Sequence, residues 1–476
     1  MYKHGVGVLE APTKVVSVVE SSAGLPIVIG LAPINLAKEP SVNEAKLIYS
    51  NKEAVNYFGF SRNFKDYTLS EATDAAFNLF GVAPIVMVNV LDPEKHVTET
   101  TETIAITNKK AKISTEGVLL SELKLSVVGE ASTELVRDTD YLVEFDSNGY
   151  VSVILLEGSH SELTAKYKKL DPSKVTKLDI IGGIDVNDGS VKGLENINKV
   201  FPKYGLVPGT VLAPGYTHDP VVESVLKSKV NNINSYFRAT AIVDVDTKEV
   251  NTYSKVTEWK NKNNYTSPEE IVCWPEVAIG EQQYRLSTQL ACLIAQTDGR
   301  AGDIPYVSPS NKSLQMNKAI LNNGTEVELG PDEAEYLNSQ GITTALNFIG
   351  GWKAWGNRTG AFPANTDVKD AFVAVRRMQK WIGNTLILTH WQKVDNPTIQ
   401  RQIDGVVDTT NIWLNGLESA GALLGAHVDF RSSDNPITDL LAGITRYHVS
   451  YAAPVPNEYI EFILEYDPSY LNTLFE

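Results

Sequence analysis

The sequence predicts an α/β fold: a multi-domain chain with a mostly parallel core sheet, an all-β insertion, and extended strand arms at both ends. Three observations carry this. Short apolar runs such as "LPIVIGLAP" and "APIVMVNVL" are bounded by Gly or Pro, as strands covered on both faces are. Amphipathic stretches alternate with them, which is the rhythm of a doubly covered parallel sheet. Between about residues 93 and 174 the composition turns Thr-, Ser-, Glu- and Lys-rich, and only short alternating runs occur there.

The elements follow in order. The first residues, "MYKHGVGVLEAPTKVVSVVE", are extended in character, rich in Val and broken by Gly and Pro. A strand at "LPIVIGLAP", a helix at "TLSEATDAAFNLFG" and a strand at "APIVMVNVL" make a β-α-β unit. The insertion holds "TIAIT", "KLSVV", "DYLVEFD" and "GYVSVILL", with "DSNG" as a hairpin turn. The α/β rhythm resumes at "KLDIIGGIDVNDG", taken as a strand before a glycine pair. It continues through "GTVLAPGY", "RATAIVDVD", "EEIVCWPEV" and "ITTALNFIG", with helical stretches between them. One helix is then expected where Val368, Ala371, Phe372, Val375, Met378 and Ile382 recur at helical spacing, capped by Thr366 or Asp367. A second covers roughly 396–425, and the end is extended again.

Composition narrows the function classes. The chain has 476 residues, 43% hydrophobic and 21% charged, enough for several folded domains rather than a disordered polymer. A net charge of −16 argues against nucleic acid or an anionic membrane as partner, since both would repel it. Two cysteines exclude a disulfide framework, and no run of 18 apolar residues or signal-like start occurs. Synthesis as a soluble protein in a bacterial cytoplasm is the expectation.

Candidate chemistry is sparse. Seven scattered histidines form no metal-ligand spacing, and "IIGGIDVNDG" lacks the Lys and glycine pattern of a phosphate loop, so neither metal nor cofactor is expected. Asp244 and Asp246 in "VDVD" end a predicted strand, where α/β enzymes place acids and plain folds place caps; the plain reading is preferred because no partner base is in view. "GGWKAWGNRTG" could make Arg358 an anion clamp, or make Trp352 and Trp355 buried anchors at a sharp turn on Gly356, with Arg358 pairing between domains. The second is preferred, and the chain is expected not to be an enzyme.

The ends are more unusual. Val6, Val8, Val15 and Val16 lie in the extended start. Near the other end Tyr459 precedes Ile460, Phe462, Leu464 and Tyr466 on one side of a strand, with Glu461 and Glu465 on the other. Free strands of this kind invite pairing with another chain.

In order along the chain, "GGIDVNDGSVKGLENI", "VLAPGY", "ATAIVDVD", "YVSPSNK", "WGNRT", "DAFVAVRRMQKWI" and "PVPNEYIEFIL" resemble the tail sheath proteins of contractile phage tails and contractile bacteriocins. The resemblance covers about residues 16–91 and 178–464. It implies a structural subunit that polymerises as a helical sheath of stacked, six-membered rings around an inner tail tube and contracts to drive the tube through a target envelope. It further implies baseplate and tail terminator proteins as partners, and a place in a virion tail or a released phage-tail-like particle. The expected division is an N-terminal arm (1–18), a core (19–92 and 175–365), an outward-facing β-rich insertion (93–174), a tube-facing domain (366–453) and a C-terminal arm (454–476). Trp352, Trp355, Gly356 and Arg358 are then expected at the junction of the core and tube-facing domains. The alternatives are an α/β enzyme using Asp244, Asp246 and Arg358, and a non-contractile viral structural protein.

Overall fold

A computed structural model of the chain describes residues 22–128, 134–158 and 160–475. Along the chain come β1 (Pro26–Gly30), β2 (Lys46–Ile48), α1 (Asn51–Phe58), α2 (Thr68–Thr73, continued by a π-helical stretch, Asp74–Phe80) and β3 (Ile85–Asn89). Six strands follow: β4 (Val97–Ala105), β5 (Lys110–Ile113), β6 (Lys124–Val127), β7 (Tyr141–Phe145), β8 (Val151–Leu155) and β9 (Glu162–Leu170). Then come α3 (Lys177–Ile181), the hairpin pair β10 (Gly183–Ile184) and β11 (Val191–Lys192), α4 (Ile197–Tyr204), β12 (Thr210–Leu212) and α5 (Pro220–Val230). Next are β13 (Thr240–Asp244), α6 (Tyr253–Lys262), β14 (Glu270–Cys273), β15 (Glu276–Ile279), β16 (Gln282–Tyr284), α7 (Leu286–Arg300) and β17 (Lys318–Ile320). The last are α8 (Pro331–Ser339), β18 (Ile342–Asn347), β19 (Trp352–Trp355), α9 (Val368–Ala371), α10 (Val373–His390), α11 (Gln400–Ser419), β20 (Gly425–Asp429), α12 (Ile437–Leu441) and β21 (His448–Ala452).

Eight strands form one sheet in the order β19-β18-β14-β13-β12-β1-β3-β2. From β18 to β3 every neighbour is parallel, and the two edge strands, β19 and β2, run antiparallel. The apolar runs supply both faces because side chains alternate along a strand. Ile27, Ile29, Val86, Val88, Ala241 and Val243 point to one core, shared with Val222 and Leu226 of α5 and Val256 of α6. Val28, Ile85, Met87 and Ile242 point to the other, shared with Phe58 of α1, Leu69 of α2 and Leu290 of α7. The mostly parallel, doubly covered sheet is thus the one the apolar runs predict.

Strands β4–β9 build two antiparallel three-stranded sheets, β4-β9-β6 and β5-β8-β7, around their own apolar cluster, which includes Leu125, Val151 and Tyr167. The turn in "DSNG" forms because Asp146 Oδ1 accepts from the amides of Asn148 and Tyr150, at 2.9 and 3.0 Å, with Gly149 at φ +80°. A fourth cluster holds Met378, Trp381, Trp413, Leu414 and Leu417 of α10 and α11 under the β20–β21 hairpin.

Three expectations are corrected. "KLDII" is helix α3, not a strand: the Asp179 carboxylate accepts from the Thr176 amide at 2.8 Å, and Gly182 ends the turn at φ +63°, where a Cβ would lie 1.9 Å from the Lys192 carbonyl oxygen. The helix expected through Phe372 is broken there. Phe372 is extended because its neighbours are taken by the preceding loop: Thr359 N–H donates to Ala371 O (2.9 Å) and Val373 N–H to Asn357 O (2.8 Å). Asp367 caps α9 through the Lys369 amide. The second helix is α11, shorter than its expected 396–425 span.

Candidate functional site: the 350–360 loop and the chain ends

Strand β19 carries Trp352 and Trp355 antiparallel to β18, with Trp355 opposite Thr344 and Trp352 opposite Asn347. Neither ring is the fully buried anchor expected; both are half-buried. Trp352 packs on the sheet face that holds Ala345 and Ala354. With the Asn338 amide oriented to suit its neighbours, Trp355 Nε1 donates to the Asn338 oxygen at 3.1 Å and the Asn338 NH₂ donates to Trp355 O at 2.9 Å. The outer edge of β19 is covered rather than open. Asn311 N–H donates to Ala354 O, Ala354 N–H to Lys312 O and Leu314 N–H to Trp352 O.

Gly356 turns the chain away from the sheet. It sits at φ +146°, and a Cβ would lie 2.9 Å from Asn338 Oδ1 and 3.0 Å from Thr343 Cα, so only glycine fits. Asn357 accepts from Ser308 Oγ. Thr359 is fixed by its hydroxyl, which donates to Asp370 O at 2.6 Å.

Arg358 points to the C-terminal segment. Its Nε and Nη2 donate to the two carboxylate oxygens of Glu458, at 3.0 and 2.5 Å. The guanidinium lies 3.7 Å from the Phe372 ring centroid and 4.5 Å from that of Phe362. A planar cation stacked on rings while gripping a carboxylate with two parallel bonds is a task for Arg rather than Lys. The structure therefore brings Arg358 to Phe362, Phe372 and Glu458, not to the two tryptophans.

Beyond Glu458 the chain is exposed and without regular structure to residue 467, and a 3-10 helix covers Pro468–Phe475. Tyr459, Ile460, Phe462, Leu464 and Tyr466 are 64–94% exposed. Val6, Val8, Val15 and Val16, with the rest of residues 1–18, lie outside the described residues.

The tightest join between the sheet and the C-terminal helices comes from α10. Arg377 pairs with Asp298 of α7, with 3% and 0% of their side chains exposed, Nη1 to Oδ1 at 3.1 Å. Arg376 pairs with Glu269 and with Asp370, the latter at 3.1 Å. Lys380 pairs with Glu269 at 2.6 Å and donates to Ala239 O at 2.7 Å. Burial would raise the Glu269 carboxyl, but Lys380 and Arg376 outweigh it and hold it below its ordinary value. Burial pushes Lys380 down to about 8 and, against Arg377, lifts the Asp298 carboxyl. The signal for this join was three cations, Arg376, Arg377 and Lys380, among apolar residues of a helix face otherwise built for burial.

The carboxylates of "VDVD" are held by local hydrogen bonds. Asp244 Oδ1 accepts from the Ser287 amide at 3.1 Å and Oδ2 from its hydroxyl at 2.5 Å, at the start of α7. Burial lifts the Asp244 carboxyl to about 7. Asp246 accepts from the Lys248 amide at 2.8 Å. Among the described residues no group of three His, Cys, Asp or Glu side chains could hold a metal, and no helix is long and apolar enough to cross a membrane.

The architecture is that of contractile sheaths. The sheath complex of an extracellular contractile injection system, PVC, in its contracted state matches 99% of this chain and 99% of its own at TM-score 0.60 and 16% identity. The contracted helical sheath of the anti-feeding prophage matches 98% and 100% at the same TM-score and identity. No protein-family model matches the sequence. In sequence, the tail sheath protein of Burkholderia phage BcepMu is 29% identical over 99% of this chain and 98% of its own length. The major tail sheath protein of Serratia phage KSP20 is 25% identical over 64% of this chain and 75% of its own. Sequence and fold together support a contractile tail sheath protein.

Proposed function

We propose that this chain is the structural subunit of a contractile tail sheath: copies polymerise helically around an inner tube, and contraction drives the tube through a target envelope. One observation supports the polymer most directly, an exposed apolar segment in a chain whose β21 edge is unpaired among the described residues. In the β20–β21 hairpin, the outer edge of β20 is sealed by α11. The Ala426 amide donates to Glu418 Oε1, the Val428 amide to Asn411 Oδ1 at 2.9 Å, and Asn411 Nδ2 to Val428 O at 3.2 Å. The outward amides of Val449 and Tyr451 on β21 have no partner among the described residues. In our reading residues 459–466 of one copy add to β21 of another, with Ile460, Phe462 and Leu464 over the half-buried Val449 and Tyr451. Glu461 and Glu465 then lie on the face that carries His448. Each backbone bond contributes about 1 kcal/mol net, and each buried apolar side chain about 1.5–3 kcal/mol. Repeated through a non-closing heterologous contact, such a joint builds a helix.

The resemblance in sequence supplies the remaining partners in this reading: an inner tail tube, a baseplate and a tail terminator, with stacked, six-membered rings. The particle is a virion tail or a phage-tail-like particle assembled after cytoplasmic synthesis. Residues 366–453 would face the tube and 93–174 the outside, with residues 1–18 as a second arm. The enzyme alternative has little support in the geometry, because Asp244 is engaged by Ser287, Asp246 by Lys248 and Arg358 by Glu458. Expression of the full chain and of a chain ending at Glu458, viewed by negative-stain microscopy, tests the proposal. Tubes from the full chain and none from the shortened one are expected; tubes from both would remove the C-terminal arm from the account.

A further inference from the structure

Near the start of the described residues, Ala23 meets the segment that follows β21 in one place. Ala23, Phe372 and Ala453 belong to a single buried cluster with Met378, Trp381 and Leu414. On the N-terminal side the Ala23 amide donates to Asp303 Oδ1 at 3.2 Å, and the Ala23 carbonyl accepts from Arg377 Nη2 at 3.1 Å. On the C-terminal side Glu458 is gripped by Arg358, whose guanidinium stacks on Phe372 and whose backbone also bridges to Phe372. Phe372 is the extended residue that leads into α10, and Arg377 lies about 6 Å along the axis from the helix's first residue, Val373, at ~1.5 Å per residue. The buried pair of Arg377 with Asp298 holds that turn against the sheet.

We infer that Arg358 is a positioning residue for the C-terminal arm: by fixing Glu458 it sets the pivot of the arm at Tyr459 and keeps it at constant spacing from the root of the N-terminal segment. The six residues after β21 are then part of the rigid subunit, not of the arm, and only the exposed run from Tyr459 onward is free to move with a neighbouring copy. Ala453 is buried at one end of these six and Glu458 is clamped at the other, whereas Phe462 and Leu464 are 83% and 94% exposed. A subunit that holds Ala23 and the pivot of the C-terminal arm against one stiff turn keeps their relative positions unchanged, as a polymer with regular helical parameters needs. The inference rests on the sheath reading for its purpose, but the clamp itself is testable in the free subunit.

Limited digestion of the full-length subunit with a glutamyl endopeptidase, followed by mass spectrometry, reads the pivot. Cleavage after Glu461 and Glu465 with Glu458 spared is expected, and R358A should raise cleavage after Glu458 at least tenfold. Equal cleavage after Glu458 and Glu461 in the unaltered chain would overturn the clamp, whether or not tubes form. E458A, which changes only a half-exposed tail residue, should leave the melting temperature of the subunit unchanged while its tubes lose sharp layer lines and dissolve at lower urea. R358A/E458A tubes should dissolve at no lower urea than the weaker single variant, because both changes remove one contact. Additive losses, or E458A tubes as ordered as those of the unaltered chain, would refute the positioning role. Failure of the unaltered chain to form tubes would count against the sheath reading and with it the purpose assigned to Arg358, while the digestion would still decide the clamp.

Discussion

Replacing Arg377 by Ala should loosen the C-terminal helices from the sheet more than any surface change could. The side chain is 3% exposed and its partner, Asp298, fully buried, so truncation strands a carboxylate in the core. Removing one partner of such a pair costs about 3–5 kcal/mol. The Ala23 carbonyl also loses a donor, at about 1 kcal/mol, giving about 4–6 kcal/mol in all. With a urea dependence of ~2–3 kcal/mol per molar, the unfolding midpoint should fall by ~2 M, read by circular dichroism or by tryptophan emission, since Trp381 lies in the affected cluster. The defect should depend on pH with a definite sign. Burial already lifts the Asp298 carboxyl, and without Arg377 it rises further. A carboxyl whose folded pKa is raised contributes most below its unfolded pKa and loses that contribution as pH rises, so R377A should recover part of its stability as pH falls from neutrality toward the ordinary aspartate value. R377M/D298N, which leaves no stranded charge, should recover much of the loss. A midpoint change for R377A within the ~0.5 kcal/mol of an ordinary surface substitution would refute the reasoning, as would a double variant no better than the single.

Other sites give sharper contrasts between fold and assembly. For Asp244, pushed up to about 7, the folded protein keeps a proton from about pH 4 to 7 that the unfolded chain has lost; stability present at low pH should fade over that window, by an amount on the order of 4 kcal/mol, and D244N should flatten the profile. Identical pH profiles for the two proteins would contradict it. G356A should cost about 1–3 kcal/mol in thermal melts, because its Cβ meets Thr343 and Asn338, whereas G351A, at φ +85° with open space around it, should cost less; the reverse order would be wrong for this turn. F462D should leave the melting temperature of the subunit within experimental error, its side chain being 83% exposed, and abolish tubes in the microscope; tubes at normal yield would exclude Phe462 from the joint.

Much of the sheet was legible because its strands are short apolar runs whose two faces both need cover: Ile27 and Val28 serve different cores from adjacent positions. Elements decided by local partners were less so. Ile180 and Ile181 look like strand residues, but the Asp179–Thr176 cap makes them a helix. Phe372 fits a helical stripe, and only its backbone contact with the loop at 357–359 breaks that helix. In "GGWKAWGNRTG" a sharp turn on Gly356 was visible, as was an Arg expected to pair with carboxylates or backbone carbonyls between domains; the structure gives it a carboxylate. Which carboxylate was not visible, because Glu458 lies 100 residues away in sequence. The tryptophans drew attention for their size, yet the join is made by Arg376, Arg377 and Lys380, whose burial appears only once α10 is laid against Glu269 and Asp298.

The central claim is that copies of this chain are joined by their own C-terminal strands. Helical reconstruction by cryo-electron microscopy of tubes formed by the expressed chain, with a tail tube protein present, tests it most directly. The account predicts residues 459–466 of one subunit hydrogen-bonded along the outer edge of β21, at Val449 and Tyr451, in another, with the Arg358–Glu458 clamp intact at the root. Tubes in which those residues fold back on their own subunit, or in which β21 keeps a bare edge, would contradict it.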